Sequence, residues 1–126
     1  MSIIYSCLLV GAGGACGSMA RYLVTLGIGA HAGVAFPIAT FVVNVTGSFL
    51  LGALGTLATR SAGWPPETLR LALGTGFLGA FTTFSTFEME ASGLFRAGHW
   101  VPAVAYVAGS VIAGLVALRA GAAIGR

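Results

Sequence analysis

Four stretches of the chain carry no Asp, Glu, Lys or Arg: residues 1–20, 22–59, 71–87 and 97–118. A membrane-spanning helix needs about 20 apolar residues, and 22–59 is long enough to hold the end of one span, a turn and a complete second span. The pattern predicts four transmembrane helices. The first covers residues 4–26 and ends in a turn-rich stretch with Gly27, Gly29, His31 and Gly33. The second opens at Phe36-Pro37, where proline suits a first helical turn, and runs to residue 59. The stretch from Arg60 to Pro66 is a turn carrying Trp64 at the depth where interfacial tryptophan is common. Glu67 belongs in the first turn of the third helix, at the positive end of its dipole, and that helix ends near Phe95-Arg96. Trp100-Val101-Pro102 begins the last span, which ends near Arg119.

Four spans consume nearly all of the chain, so residues 1–126 read as one four-helix transmembrane subunit. Composition agrees: 57% of the residues are hydrophobic, only 7% are charged and 20 are glycine, far from the profile of a soluble domain. The formal charge of +3 comes from six Arg and three Glu spread singly. Without a basic patch, nucleic-acid binding is excluded. Residues 1–4 lack the positive charge of a secretory signal, so the first segment is read as retained. Cys7 and Cys16 fall on opposite faces of a helix; they cannot bridge within one chain, lack metal-pair spacing, and are expected to pack as buried thiols.

Loop charge leaves the orientation poorly specified. Arg60, Arg70, Arg119 and Arg126 collect on one side and Arg21 and Arg96 on the other, a weak bias. A chain able to insert both ways can form an antiparallel dimer. No internal repeat supplies inverted halves within one chain, so symmetry must come from oligomerisation.

Polar residues inside the spans carry the chemistry. Gly74-Thr75-Gly76-Phe77-Leu78-Gly79 matches a dinucleotide-binding pattern, but no strand precedes it and no acidic residue stands near position 99. Two roles remain for these glycines, close helix packing and a break in the helix. The run TTFSTF at 82–87 follows, and its hydroxyls compete with helical hydrogen bonds, which places a break near residues 79–82. Carbonyls freed at that depth need a partner, either a bound cation or a threonine hydroxyl. Thr40, Asn44 and Ser48 form one polar stripe on the second span, and Tyr106, Ser110 and Gly114 another on the fourth. Each reads either as interhelical glue or as the wall of a wet path, and a mid-membrane carboxamide at Asn44 favours the path. The stripes hold hydroxyls and an amide but no carboxylate, so they can donate to an anion without repelling it. Phe84 and Phe87 share a face and offer electropositive ring edges. Arg21, the only charge in the first span, snorkels to the interface and can draw anions to a vestibule.

At these residues the chain resembles the Fluc, or CrcB, family of small fluoride channels over essentially its whole length. The strongest match is GFLGAFTTFSTFE at 76–88, joined by VVNVTGSFLLG at 42–52, GSMARY at 17–22 and YVAGS at 106–110. The resemblance implies an all-α integral membrane protein with a glycine-broken third helix. It implies an antiparallel, dual-topology homodimer in the cell membrane, with two fluoride pathways and a central sodium ion. On this mapping Phe84 and Phe87 line the ion path, Asn44 is the amide donor beside it, and Tyr106, Ser110 and Thr40 line it too. The backbone carbonyls of Gly79 and Thr82 from both subunits hold the sodium, and Arg21 sits at the vestibule. Gly114 departs from the pattern, since related chains can carry a hydroxyl there. The implied activity is passive, selective fluoride export that protects against fluoride toxicity. Hydrogen fluoride enters neutral from acidic surroundings and dissociates inside, and the trapped anion leaves by the channel.

Two other readings compete. A small dual-topology, proton-coupled multidrug exporter has this size but needs a titratable carboxylate in the membrane, which the first span lacks; only Glu88 and Glu90 stand near enough to serve. A non-conducting assembly subunit would use the stripes solely to glue helices. No nucleophile, base and orienting acid are grouped anywhere, so an enzyme is not expected.

Overall fold

In lipid every backbone polar group must find its partner within the protein, which for these apolar runs means helix. The computed structural model describes residues 1–29, 36–58 and 66–124, and these are almost entirely helical. Helix α1 covers Ile3–Gly29, α2 covers Ile38–Leu57 and α6 covers Trp100–Ile124. Among the described residues these three helices are long and apolar enough to cross a membrane. The third predicted span is divided. It begins as α3 (Pro66–Leu69), widens into a π-helical stretch over Arg70–Leu78, returns to α4 (Gly79–Phe81), breaks, and resumes as α5 (Phe84–Arg96). The turn at His31 and Gly33, the loop with Arg60 and Trp64, and Arg126 lie outside the described residues.

The expected boundaries hold to within a few residues except at the end of α6, which passes Arg119 and continues to Ile124. The sequence after Arg119 is rich in alanine and lacks proline, so nothing stops the helix there. Helix α5 ends where Gly98 takes φ +79°, with His99 N–H donating to Leu94 O (3.0 Å) and Gly98 N–H to Phe95 O (3.1 Å). This is the glycine-dependent C-terminal motif that satisfies the last carbonyls of a helix.

Two helix pairs make the bundle, and glycines set both. α1 lies along the π-helical stretch and α4, while α2 lies along α6. In the first pair a side chain at Gly17 would collide with the carbonyl of Phe77, and Gly76 backs onto Val10 O. In the second, Gly52 faces Leu118 O and Gly121 faces Phe49 O. With no hydrophobic effect between helices in lipid, such close backbone approach is what makes packing favourable. α5 then packs on α6 through Phe87, Ala91, Leu94, Ala103 and Tyr106.

The glycine motif therefore divides its two expected roles. Gly76 is buried against α1, and Gly79 N–H reaches back to Gly74 O, the longer span of a π turn. The break comes later than the glycines: Gly79 is itself helical, and the chain becomes extended at Thr82 (φ −79°, ψ 158°) and Thr83 (φ −149°, ψ 117°). Cys7 and Cys16 are free thiols, as their spacing required, but both are exposed on α1 rather than buried. The face of α1 that meets the third span is made of Gly13 and Gly17, where an added Cβ would meet backbone atoms, and the two cysteines lie off it.

Candidate functional site

The break leaves backbone groups to be satisfied between α4 and α5. Thr82 turns back, its N–H and its hydroxyl both donating to Leu78 O at 3.0 Å. Thr83 turns across to α2. Its N–H donates to Asn44 Oδ1 (2.8 Å), and its carbonyl accepts from Asn44 Nδ2 (3.1 Å). One carboxamide thus replaces the helical acceptor that Thr83 N–H loses at the break and adds a second donor to a carbonyl that, at the N-cap, also accepts the first bond of α5, which explains an asparagine here. Thr83 also starts α5: its Oγ1 accepts from Thr86 N–H (3.3 Å), an N-cap, and donates to Thr86 Oγ1 (3.0 Å).

Two carbonyls lose their usual donors in the process. An unbroken helix would direct Thr83 N–H at Gly79 O and Thr86 N–H at Thr82 O. Those donors go to Asn44 Oδ1 and Thr83 Oγ1 instead. The oxygens of Gly79 and Thr82 are the pair assigned above to a cation.

Two grooves meet at Thr83. The first, about 330 Å³, runs between α2, the break and α6, and is lined among others by Asn44, Ser48, Thr82, Phe84, Phe87 and Ser110. The second, about 290 Å³, lies on the α1 side and includes Arg21, Thr25, Thr40, Thr86 and Glu90. Phe84 and Phe87 stand 5.9 Å apart between ring centres, and Phe87 lies 5.1 Å from Tyr106. Phe84 is 70% exposed on the single chain, whereas Phe87 is buried. In the first groove Asn44, Ser48, Thr82 and Thr83 all bond within the chain. Among the described residues Ser110 Oγ is buried with no partner.

Thr40 and Tyr106 are drawn together by a residue the sequence reading left undecided. Glu90 accepts from Thr40 Oγ1 at 2.9 Å through one carboxyl oxygen and from Tyr106 OH at 2.7 Å through the other. Tyr106 is completely buried, so its hydroxyl belongs to this cluster. Glu88, two residues earlier, is exposed. Helical spacing offered a signal: Glu90 follows Phe87 by three residues and shares its face, while Glu88 does not. The expected residues thus fall around one junction, with Asn44, Phe84, Phe87, Ser110, Gly79 and Thr82 on the first groove and Arg21 and Thr40 on the second. Tyr106 bridges the two through Phe87 and Glu90.

Comparison with known proteins identifies the family. The family model described as CrcB-like protein, Camphor Resistance (CrcB), matches residues 8–122. A protein of Chlorobaculum tepidum named fluoride-specific ion channel FluC is 50% identical over 119 residues, covering 94% of this chain and 93% of that protein. Proteins of the same name from Rhizobium meliloti and Caulobacter vibrioides are 48% and 44% identical, each over 94% of both chains. With the match running from α1 through the Asn44–Thr83 junction to the end of α6, the chain belongs to the CrcB family.

Proposed function

We infer that this chain is a subunit of a fluoride-selective channel that exports fluoride passively across the cell membrane, in which it sits as a multi-pass protein. The carrying observation is the identity of 42–50% to proteins named as fluoride-specific ion channels, over nearly the whole of each chain. It acts as a channel and not as an enzyme, and the exporter and assembly readings are not favoured.

Fluoride is small and strongly hydrated, so a selective path has to replace its water with closely placed donors. Ser110 supplies a hydroxyl with no partner among the described residues, and Phe84 and Phe87 supply ring edges on the same groove. Arg21, on the second groove, raises the local anion concentration at an entrance. Glu90 is held away from the first groove by its two hydroxyl donors, and it leaves that groove without a carboxylate to repel the ion. Chloride is larger and gains less from the same donors.

The finer assembly is a proposal as well. The divided third helix crosses the membrane as a fourth span, with residues 1–126 forming a single subunit, and two copies pair antiparallel. The exposure of Phe84 and of Gly79 at mid-span supports a second copy covering them. A sodium ion at the centre would be held by the carbonyls of Gly79 and Thr82 from each copy. Carbonyl oxygens suit a hard cation, and the diverted Thr83 and Thr86 donors leave these two oxygens free for that role.

The test is fluoride efflux from liposomes holding the purified protein, read by electrode with a potassium ionophore present and chloride followed in parallel. Rapid fluoride release with chloride retained is expected. A folded protein that releases neither ion would return the assembly-subunit reading.

A further inference from the structure

Helices α2 and α6 run side by side in the same direction with a constant register. Thr40 and Tyr106 meet on Glu90, Gly52 backs onto Leu118 O, and Thr56 Oγ1 donates to Ala122 O at 3.2 Å. Each pair differs by the same number of positions, and on that register Asn44 is level with Ser110 and Ser48 with Gly114. The last pairing is direct: a Cβ built on Gly114 would lie 3.5 Å from Ser48 Oγ.

The three levels differ in what they offer an anion. At the first, the hydroxyls of Thr40 and Tyr106 are committed to Glu90. At the second, the amide of Asn44 is committed to Thr83 and the hydroxyl of Ser110 is free. At the third, α6 presents bare backbone at Gly114, and the side-chain donor there is Ser48, which lines the same groove as Ser110. Four residues of helix separate successive levels by about 6 Å, a spacing at which an ion can pass from one donor to the next.

We propose that Ser48 contacts the permeating fluoride, supplying from α2 the hydroxyl that α6 lacks at Gly114. Ser48 Oγ now donates to Asn44 O at 2.8 Å, the carbonyl one turn back on its own helix. That carbonyl keeps its helical backbone donor, so a rotation about one side-chain bond releases the hydroxyl without leaving a backbone group unsatisfied. Gly114 leaves space for that rotation. The proposal rests on the channel reading and adds a residue to its path.

The test compares wild type, Ser48→Ala and the double variant Ser48→Ala with Gly114→Ser in the liposome assay, each checked for an unchanged elution position in detergent. Serine fits at 114 because the nearest atom to its Cβ is the Ser48 oxygen, at ordinary contact distance. The single variant is expected to slow fluoride release by about tenfold or more, the loss of one donor to a charged ion. The double variant is expected to recover most of that rate by offering the hydroxyl from the opposite helix. A conducting wild type with an equally fast Ser48→Ala overturns the proposal alone. So does a slow single variant that the double variant fails to rescue, because the hydroxyl then matters only to its own helix. A wild type that releases no fluoride removes the channel reading, and this proposal with it.

Discussion

The side-chain amide of Asn44 holds both backbone polar groups of Thr83, accepting from its N–H at 2.8 Å and donating to its carbonyl at 3.1 Å. The residues are 39 positions apart, and the contact joins α2 to the point where the third span breaks. It ties the extended backbone at the break to the wall of the first groove.

Asn44→Ala leaves Thr83 N–H without its acceptor and removes one of the donors to Thr83 O, a loss of about 1–3 kcal/mol. The apparent Tm in detergent should fall and fluoride efflux should fall with it. Asn44→Asp keeps an acceptor for Thr83 N–H but faces its carbonyl with no donor, and should be intermediate in Tm. A Tm in Asn44→Ala equal to wild type would mean that the break is held by other contacts.

Phe84→Ile and Phe87→Ile separate flux from stability. Phe84 lines the first groove and makes few contacts within its own chain, so its replacement should slow fluoride release by more than about tenfold, roughly 1.4 kcal/mol on the barrier, while leaving the dimer folded. Phe87 is buried and meets Tyr106 at 5.1 Å, so its replacement should cost both. Normal efflux in both variants would remove the aromatic pair from the pathway.

Tyr106→Phe and Thr40→Val each take one hydroxyl donor from Glu90. Either change should destabilise by about 1–3 kcal/mol, and in a double-mutant cycle the two effects should fail to add because they share one carboxyl group. Strict additivity in thermal unfolding would show that the cluster does not act as a unit.

Gly17→Ala and Gly121→Ala drive a methyl group against the carbonyls of Phe77 and Phe49. Overpacking of this kind costs about 1–3 kcal/mol. Gly11→Ala, with nothing near its added Cβ, should leave Tm unchanged. A similar Tm in all three variants would argue against glycine-mediated packing of the two helix pairs.

Replacing sodium by a large organic cation during purification should lower Tm and slow efflux, because the carbonyls of Gly79 and Thr82 then lack a partner in a medium where unsatisfied groups cost several kcal/mol. An unchanged Tm and rate would retire the sodium proposal.

What the sequence by itself determined is the set of properties that follow from local composition. Charge-free runs of spanning length dictate helices, because a backbone in lipid must satisfy itself. Gly74, Gly76 and Gly79 beside a run of hydroxyls marked an irregular third span, Asn44 stood out as too polar for its depth, and the spacing of Cys7 and Cys16 ruled out a bridge. The tertiary structure decided matters that depend on which distant segments touch. The break fell at Thr82, the last of the expected residues, and at Thr83 after it, since Asn44 on another helix offered Thr83 N–H the acceptor that its own helix would have supplied. Of Glu88 and Glu90, only Glu90 turned inward, because two hydroxyls from α2 and α6 converge on its side chain. The register that sets Ser48 against Gly114 is fixed by backbone contact at Gly52 and Gly121, and helical periodicity within one span cannot encode the offset of that span from its neighbour.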